Sequence, residues 1–309
     1  MTEIMKRMGM IALGMGLLFT GAGLAEAAVP IPSDYYLTIE DKGKAEQRFR
    51  AYGMYKPVKV TVSENNPSYG NFKYCAWYPD KMEQSDRTWP MVILLNGTGV
   101  TCDVDEPLYK HLASWGFIVI GNTDEQTRAG YSAQWGLEIM ENLARDQQSL
   151  FYKKIDFAHM GIGGHSQGAN GAVNALLKRE MMPRFKTLVT ISGVTPSLLE
   201  KLDMQKWDYN PADIRIPWFM VSGDGPIDRN VITPLSDMEN IFEKASTFVV
   251  MGRRNIATHS DIQAESDAYV TAWFRWQLKN DFYAARVFMG EDAEILRNSG
   301  WNHVQRKNS

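Results

Sequence analysis

Short β-rich runs alternate with helical stretches along most of this chain, and few folds accept that order. The runs are Val58–Ser63, Phe72–Tyr78, Met91–Leu95, Phe117–Gly121, His159–Gly163, Thr187–Ser192, Trp218–Ser222 and Ser246–Met251. The first two have no helix between them and read as an antiparallel start. Met91–Leu95 and Phe117–Ile120 are almost wholly apolar, as parallel strands covered on both faces must be. Asp105 is placed to cap a helix, with Pro107 in its first turn and Gly116 beyond its end. Further helices are expected over Gln134–Lys153, from just after Ser166 to about Arg184, over Thr233–Ala245, and from Asp267 onward, where Val270, Trp273 and Phe274 share a face. The alternation predicts an α/β fold: a mostly parallel, eight-stranded, doubly wound sheet with helices on both faces. Ligands of such sheets bind at the carboxyl ends of the strands.

The N-terminus reads as an address. Lys6 and Arg7 form a positive head, Met8 to Leu24 carry no charge, and Ala25-Glu26-Ala27 offers a small-residue cleavage site. This order predicts a signal peptide over residues 1–27, a single domain over 28–309, and a secreted or periplasmic protein. No other stretch is apolar for long enough to span a membrane. Export would place Cys75 and Cys102 in an oxidising compartment. A disulfide between them would close a loop of about 27 residues and contribute roughly 3–4 kcal/mol; two buried thiols are the equal alternative. With 33 Lys+Arg against 36 Asp+Glu the net charge is −3, so no basic excess exists to hold nucleic acid. No Cys or His spacing suggests a metal site.

One expected strand ends in a glycine-flanked serine. The segment His159 to Val173 contains Gly164-His165-Ser166-Gln167-Gly168, the pattern of a strand–turn–helix elbow so tight that the serine's neighbours must be tiny. The elbow lifts a hydroxyl above the sheet at a helix N-terminus, where main-chain N–H groups face developing negative charge. About 0.1 such matches are expected by chance in a chain of this composition, so the setting, a strand before and a small-residue helix start after, adds weight. The glycines also read as an ordinary βα turn, but not as a dinucleotide or P-loop cradle, because no Gly-Lys-Ser/Thr follows.

A serine hydroxyl is a weak nucleophile until a base takes its proton. Among the five histidines, His111 falls inside a helix, His159 at the wrong end of its strand, and His303 in a polar tail, while His165 belongs to the elbow and is expected to point elsewhere. His259 alone follows a strand's carboxyl end downstream of the serine. An acid to orient it belongs on the loop after the Trp218–Ser222 run, where Asp224 and Asp228 are candidates. Asp224-Gly225 is itself a turn signal, which favours Asp228. Two main-chain N–H groups must hold an oxyanion: that of Gln167, and that of Thr98, or else Gly99, in the Asn96-Gly97-Thr98-Gly99 loop.

From about Trp89 to Met289 the chain resembles the α/β-hydrolase fold, within it the cutinase-like polyester hydrolases, with dienelactone hydrolases further off. Leu112-Ala113-Ser114-Trp115-Gly116-Phe117-Ile118-Val119-Ile120 is similar to that family's helix-to-strand segment, Ile155 to Gly161 to the approach to its elbow, and Ala272 through Asp281 to its closing helix. The interval from Asp228 to His259 fits its acid-to-histidine spacing. Where its polyesterases carry an aromatic, a Met and often a Trp, this chain has Thr98, Gln167 and Ser192-Gly193-Val194-Thr195, and Pro196 to Arg215 resembles an insertion. The resemblance thus implies a serine carboxylic-ester hydrolase with Ser166, His259 and Asp228 as triad, Thr98 and Gln167 as oxyanion donors, and no metal or organic cofactor. Its substrate is a small or polymeric ester. Trp115, Trp135 and Trp207 either line its cleft or fill the core. An acyltransferase with the same triad, or a non-catalytic binding protein on this scaffold, are the alternatives.

Overall fold

The computed structural model describes residues 30–307, so the expected leader over 1–27 lies outside the described residues. The strands are β1 (Pro57–Ser63), β2 (Tyr74–Pro79), β3 (Trp89–Leu95), β4 (Ile118–Asn122), β5 (Ile155–His165), β6 (Thr187–Ile191), β7 (Trp218–Gly223), β8 (Val249–Arg254) and β9 (Trp301–Lys307). They form one nine-stranded sheet in the order β1-β2-β4-β3-β5-β6-β7-β8-β9. From β4 to β8 all neighbours are parallel, whereas β1, β2 and β9 join antiparallel.

The main helices are α1 (Lys44–Arg50), α2 (Glu106–Ser114), α3 (Tyr131–Arg145), α4 (Gln167–Lys178), α5 (Leu235–Lys244), α6 (Ile262–Lys279) and α7 (Phe282–Phe288). Alternate residues of each central strand enter different cores. Met91, Ile93, Ile118, Ile120, Trp218 and Met220 pack with residues of α3, α4 and α5. Val92, Val119, Phe219, Val221 and Val250 pack with residues of α1, α2, α6 and α7. Both strand faces are therefore buried, which explains the uninterrupted apolar runs. No helix among the described residues is long and apolar enough to cross a membrane.

The structure corrects the expected elements in four places. The sheet has nine strands, not eight, because the polar tail that holds His303 is β9, paired with β8. An edge strand half open to water needs no apolar run to mark it. The second helical stretch stops at Arg145 rather than Lys153: the Asp146 carboxylate accepts the Gln148 N–H at 2.9 Å and the Ser149 hydroxyl accepts the Phe151 N–H at 3.1 Å, turning the chain away from helix. The helix after Ser166 ends at Lys178, short of Arg184; Glu180 takes φ +56° and Pro183 sits in a short 3-10 turn. The fourth correction is at Asp105, which stands at the cap of α2 but makes no capping bond.

Instead the Asp105 carboxyl is buried and accepts a bond from Gln263 Nε2 of α6 at 3.1 Å. Burial, only partly offset by that bond, pushes its pKa up to about 7. Unfolded, the group loses its proton near 3.9. Between those values the folded chain holds the extra proton, so this site's contribution to stability falls as pH rises from about 4 to about 7. Asp105→Asn keeps an acceptor for Gln263 and cannot ionise. It should match the wild type at pH 4 and exceed it at pH 8 by about 2–4 kcal/mol. Urea denaturation at both pH values checks this, and a gap that does not change with pH overturns it.

Candidate active site

β5 runs to His165 and α4 starts at Gln167, so Ser166 is the whole turn between them, at φ +55° and ψ −124°. Positive φ is unfavourable for a residue with a Cβ, and the packing around it leaves no alternative. A Cβ at Gly164 would lie 2.3 Å from Gly168 O, and one at Gly168 would lie 2.2 Å from Leu95 O. Both flanking positions must therefore be glycine. The Ser166 N–H bonds Ile191 O at 2.9 Å, tying the turn to the end of β6.

The loop after β3 lies against this turn. A Cβ at Gly97 would sit 3.7 Å from Ser166 Cβ and 3.3 Å from His165 Nδ1. Asn96 fixes the loop, its Nδ2 donating to Asn122 O at 2.8 Å and Asp124 O at 3.1 Å, while its carbonyl accepts from Thr127 Oγ1 at 2.8 Å. The Gly99 N–H is occupied by Glu125 O at 3.1 Å, which leaves Thr98 as the better donor of the two. Gln167 opens α4, so its N–H has no carbonyl one turn back to bond. Its side chain is pinned, with Nε2 donating to Glu125 O at 2.6 Å and Oε1 accepting from Arg128 at 2.9 Å.

His259 and Asp228 arrive from the loops after β8 and β7. His259 Nδ1 lies 2.6 Å from Asp228 Oδ1. Asp228 is fully buried, and its other oxygen accepts from Ser192 Oγ at 2.5 Å and from the Gly223 N–H at 2.9 Å. Burial raises the pKa of this carboxyl, but the His259 ring and the Ser192 hydroxyl outweigh it and hold the group below its ordinary value. Asp224 turns elsewhere, with its carboxylate 3.7 Å from Arg253 and 3.4 Å from Asn302 Nδ2. The geometry thus pairs Asp228, not Asp224, with His259.

His165 departs from expectation. Its ring does not point away but packs on His259, with centroids 4.6 Å apart, and its Nε2 lies 2.9 Å from His259 O. Burial, helped by the neighbouring His259 ring, pulls its pKa down to about 3, so the ring is neutral and Nε2–H donates to that carbonyl. His165 thereby holds the His259 loop over the elbow. The Ser166 hydroxyl itself makes no hydrogen bond to the His259 ring among the described residues. Sequence reasoning missed His165 and Ser192, and nothing in their local pattern signals either role.

The remaining histidines stand apart. His111 is buried 2.7 Å from Asp267, and His159 lies 2.7 Å from Asp156 on the early part of β5. Of the tryptophans considered for a cleft, Trp207 borders a recess with Gln167, Asn170 and Arg128 beside the elbow. It comes from the Pro196–Arg215 segment, whose Leu198 and Leu199 pack on Val194 and Ile232. Trp115 bonds Ala51 O and packs on Phe49, while Trp135 stacks on Tyr131.

No protein-family model and no curated protein matches this chain.

Proposed function

We propose that this chain is an exported serine hydrolase of the α/β-hydrolase fold that cleaves carboxylic esters, similar to cutinase-like polyester hydrolases and, more distantly, dienelactone hydrolases. The observation that carries the reading is the 2.6 Å bond between Asp228 and His259 Nδ1, made where the His259 loop is held to the elbow residue His165. An ionised Asp228 keeps the proton on Nδ1 and leaves the lone pair on Nε2. In the reaction Nε2 takes the Ser166 proton as Oγ attacks the ester carbonyl. The Thr98 and Gln167 N–H groups hold the tetrahedral oxyanion. His259 then protonates the departing alcohol, and a water molecule repeats the cycle on the acyl-enzyme. Catalytic hydrogen bonds are commonly long in the unliganded state and tighten around substrate, so the reading requires the Ser166 hydroxyl and His259 Nε2 to meet when the ester binds.

The test is covalent. A fluorophosphonate should add once per chain, to the peptide that carries Ser166, and a nitrophenyl butyrate should give a burst close to one equivalent. An intact chain that shows neither is a binding protein on this scaffold. Preferential transfer of the acyl group to an added alcohol, rather than to water, makes it an acyltransferase.

A further inference from the structure

We infer that Cys75 and Cys102 form a disulfide when the chain folds in an oxidising compartment, and that this bond fastens the loop after β3 to the sheet. Both thiols are free in this structure, and both side chains are fully buried. Cys75 on β2 stands opposite Gly121 on β4. Opposed residues of an antiparallel pair point their Cβ atoms to the same face, about 4.5–5.5 Å apart. Gly121 has no Cβ, and the Cβ it lacks would lie 2.7 Å from Cys102 Cβ. Cys102 therefore occupies the place of the missing side chain at 121, directly beside Cys75. That placement suits a bond needing a Cβ separation of about 3.5–4.5 Å. Cys102 is held there by its own N–H, which bonds Asn122 O at 2.9 Å. Trp77 and Tyr109 close the space around them.

The thiols are also unequal. The Cys102 thiol beside Cys75, with Lys59 and Lys73 nearby, draws Cys75 below the ordinary thiol range, while the same contact and burial push Cys102 up. That inequality belongs to the folded chain and sets no order of attack during folding. One thiolate displaces one thiol from a small-molecule or protein disulfide and forms a mixed disulfide. The other cysteine, losing its proton, then attacks that protein sulfur and expels the second thiol. Two protein thiols and one external disulfide become one protein disulfide and two external thiols. Because both sulfurs are buried in the finished fold, the exchange belongs to folding, before the loop closes over β4. Cys102 lies only four residues beyond Thr98, so the bond would also anchor the proposed oxyanion donor. That consequence rests on the hydrolase reading, whereas the bond does not.

The full chain, unfolded, reduced and refolded in glutathione with glutathione disulfide, is then denatured in N-ethylmaleimide and weighed. The expected product carries no maleimide, weighs about 2 Da less than the reduced chain, and yields one non-reduced peptide joining Cys75 to Cys102. Its thermal midpoint should fall by roughly 5–10 °C on reduction, a fall absent from Cys75→Ser/Cys102→Ser. Two maleimide adducts, or glutathione left on either cysteine, overturn the inference. Should the double variant not fold, the wild-type mass alone decides. These readouts do not depend on ester cleavage.

Discussion

Ser166→Ala should lower kcat for nitrophenyl butyrate by about 10⁵–10⁶ while leaving the fold intact. The hydroxyl makes no hydrogen bond to another described residue, so removing it orphans no buried partner. What disappears is the proposed nucleophile, and the residual rate is what the proposed main-chain donors supply by themselves. Stability carries the second half of this prediction. The strain at φ +55° belongs to the Cβ, which alanine keeps and glycine lacks. Ser166→Gly should therefore be as inactive as Ser166→Ala yet more stable by about 1 kcal/mol, since strained positions store about 1–3 kcal/mol and glycine gives back part of that in unfolded-chain entropy. Kinetics and urea midpoints of the three proteins decide it. More than a hundredth of wild-type turnover in Ser166→Ala would remove the serine from the mechanism. Equal midpoints for the two variants would show that the turn holds no strain.

The central sheet was legible because its strands are buried on both faces. Residues 91–95 and 117–120 had to be apolar throughout, and the helices between had to be amphipathic. Legibility fails where burial and hydrophobicity part company. β8 runs on to Arg253 and Arg254, both nearly fully buried, so its charged end did not look like strand. These arginines are accommodated by partners no local window contains. Arg254 bonds Glu265 at 2.9 Å and Glu46 at 3.2 Å, residues from α6 and α1. β9 fails in the opposite way, since an edge strand gains from main-chain pairing and leaves its side chains free to be polar.

The candidate site was legible for a related reason. A parallel sheet delivers its loops to one edge, so chain order alone brings residues 96–99, 166, 228 and 259 to the same end. Chain order does not say where side chains point from that edge. His165 is a case in point: it precedes the turn by one residue, and only the approach of the 255–259 loop gives its Nε2 an acceptor. Ser192 likewise reaches Asp228 from a backbone at φ +43°, a conformation that a serine does not announce. The sequence kept Gly99 open as an oxyanion donor, and only its bond to Glu125 O separates it from Thr98.

The two aspartates of the 224–228 loop should separate by orders of magnitude. Asp228→Asn is expected to lower kcat by about 10⁴, a loss of the size seen when a triad carboxylate becomes an amide. The reason lies in the three donors that converge on Asp228: His259 Nδ1, Ser192 Oγ and the Gly223 N–H. A carboxylate accepts all three. An asparagine offers one oxygen, and Gly223 and Ser192 share it while the amide NH₂ faces the ring. Nδ1 must then accept, the ring proton moves to Nε2, and Nε2 can no longer take the proton of Ser166. Asp224→Asn touches none of this. Its carboxylate meets Arg253 at 3.7 Å, and Arg253 Nη1 also reaches Gly223 O at 3.4 Å, so the guanidinium keeps a partner. Turnover should stay within about threefold, with a stability loss of about 1–3 kcal/mol, because Arg253 is buried and loses an anionic neighbour while keeping its carbonyl partners. Steady-state kinetics on both variants, with urea midpoints to confirm folding, give the answer. If Asp224→Asn shows the larger loss in turnover, the imidazole is oriented by the other carboxylate, and the loop must rearrange when substrate binds.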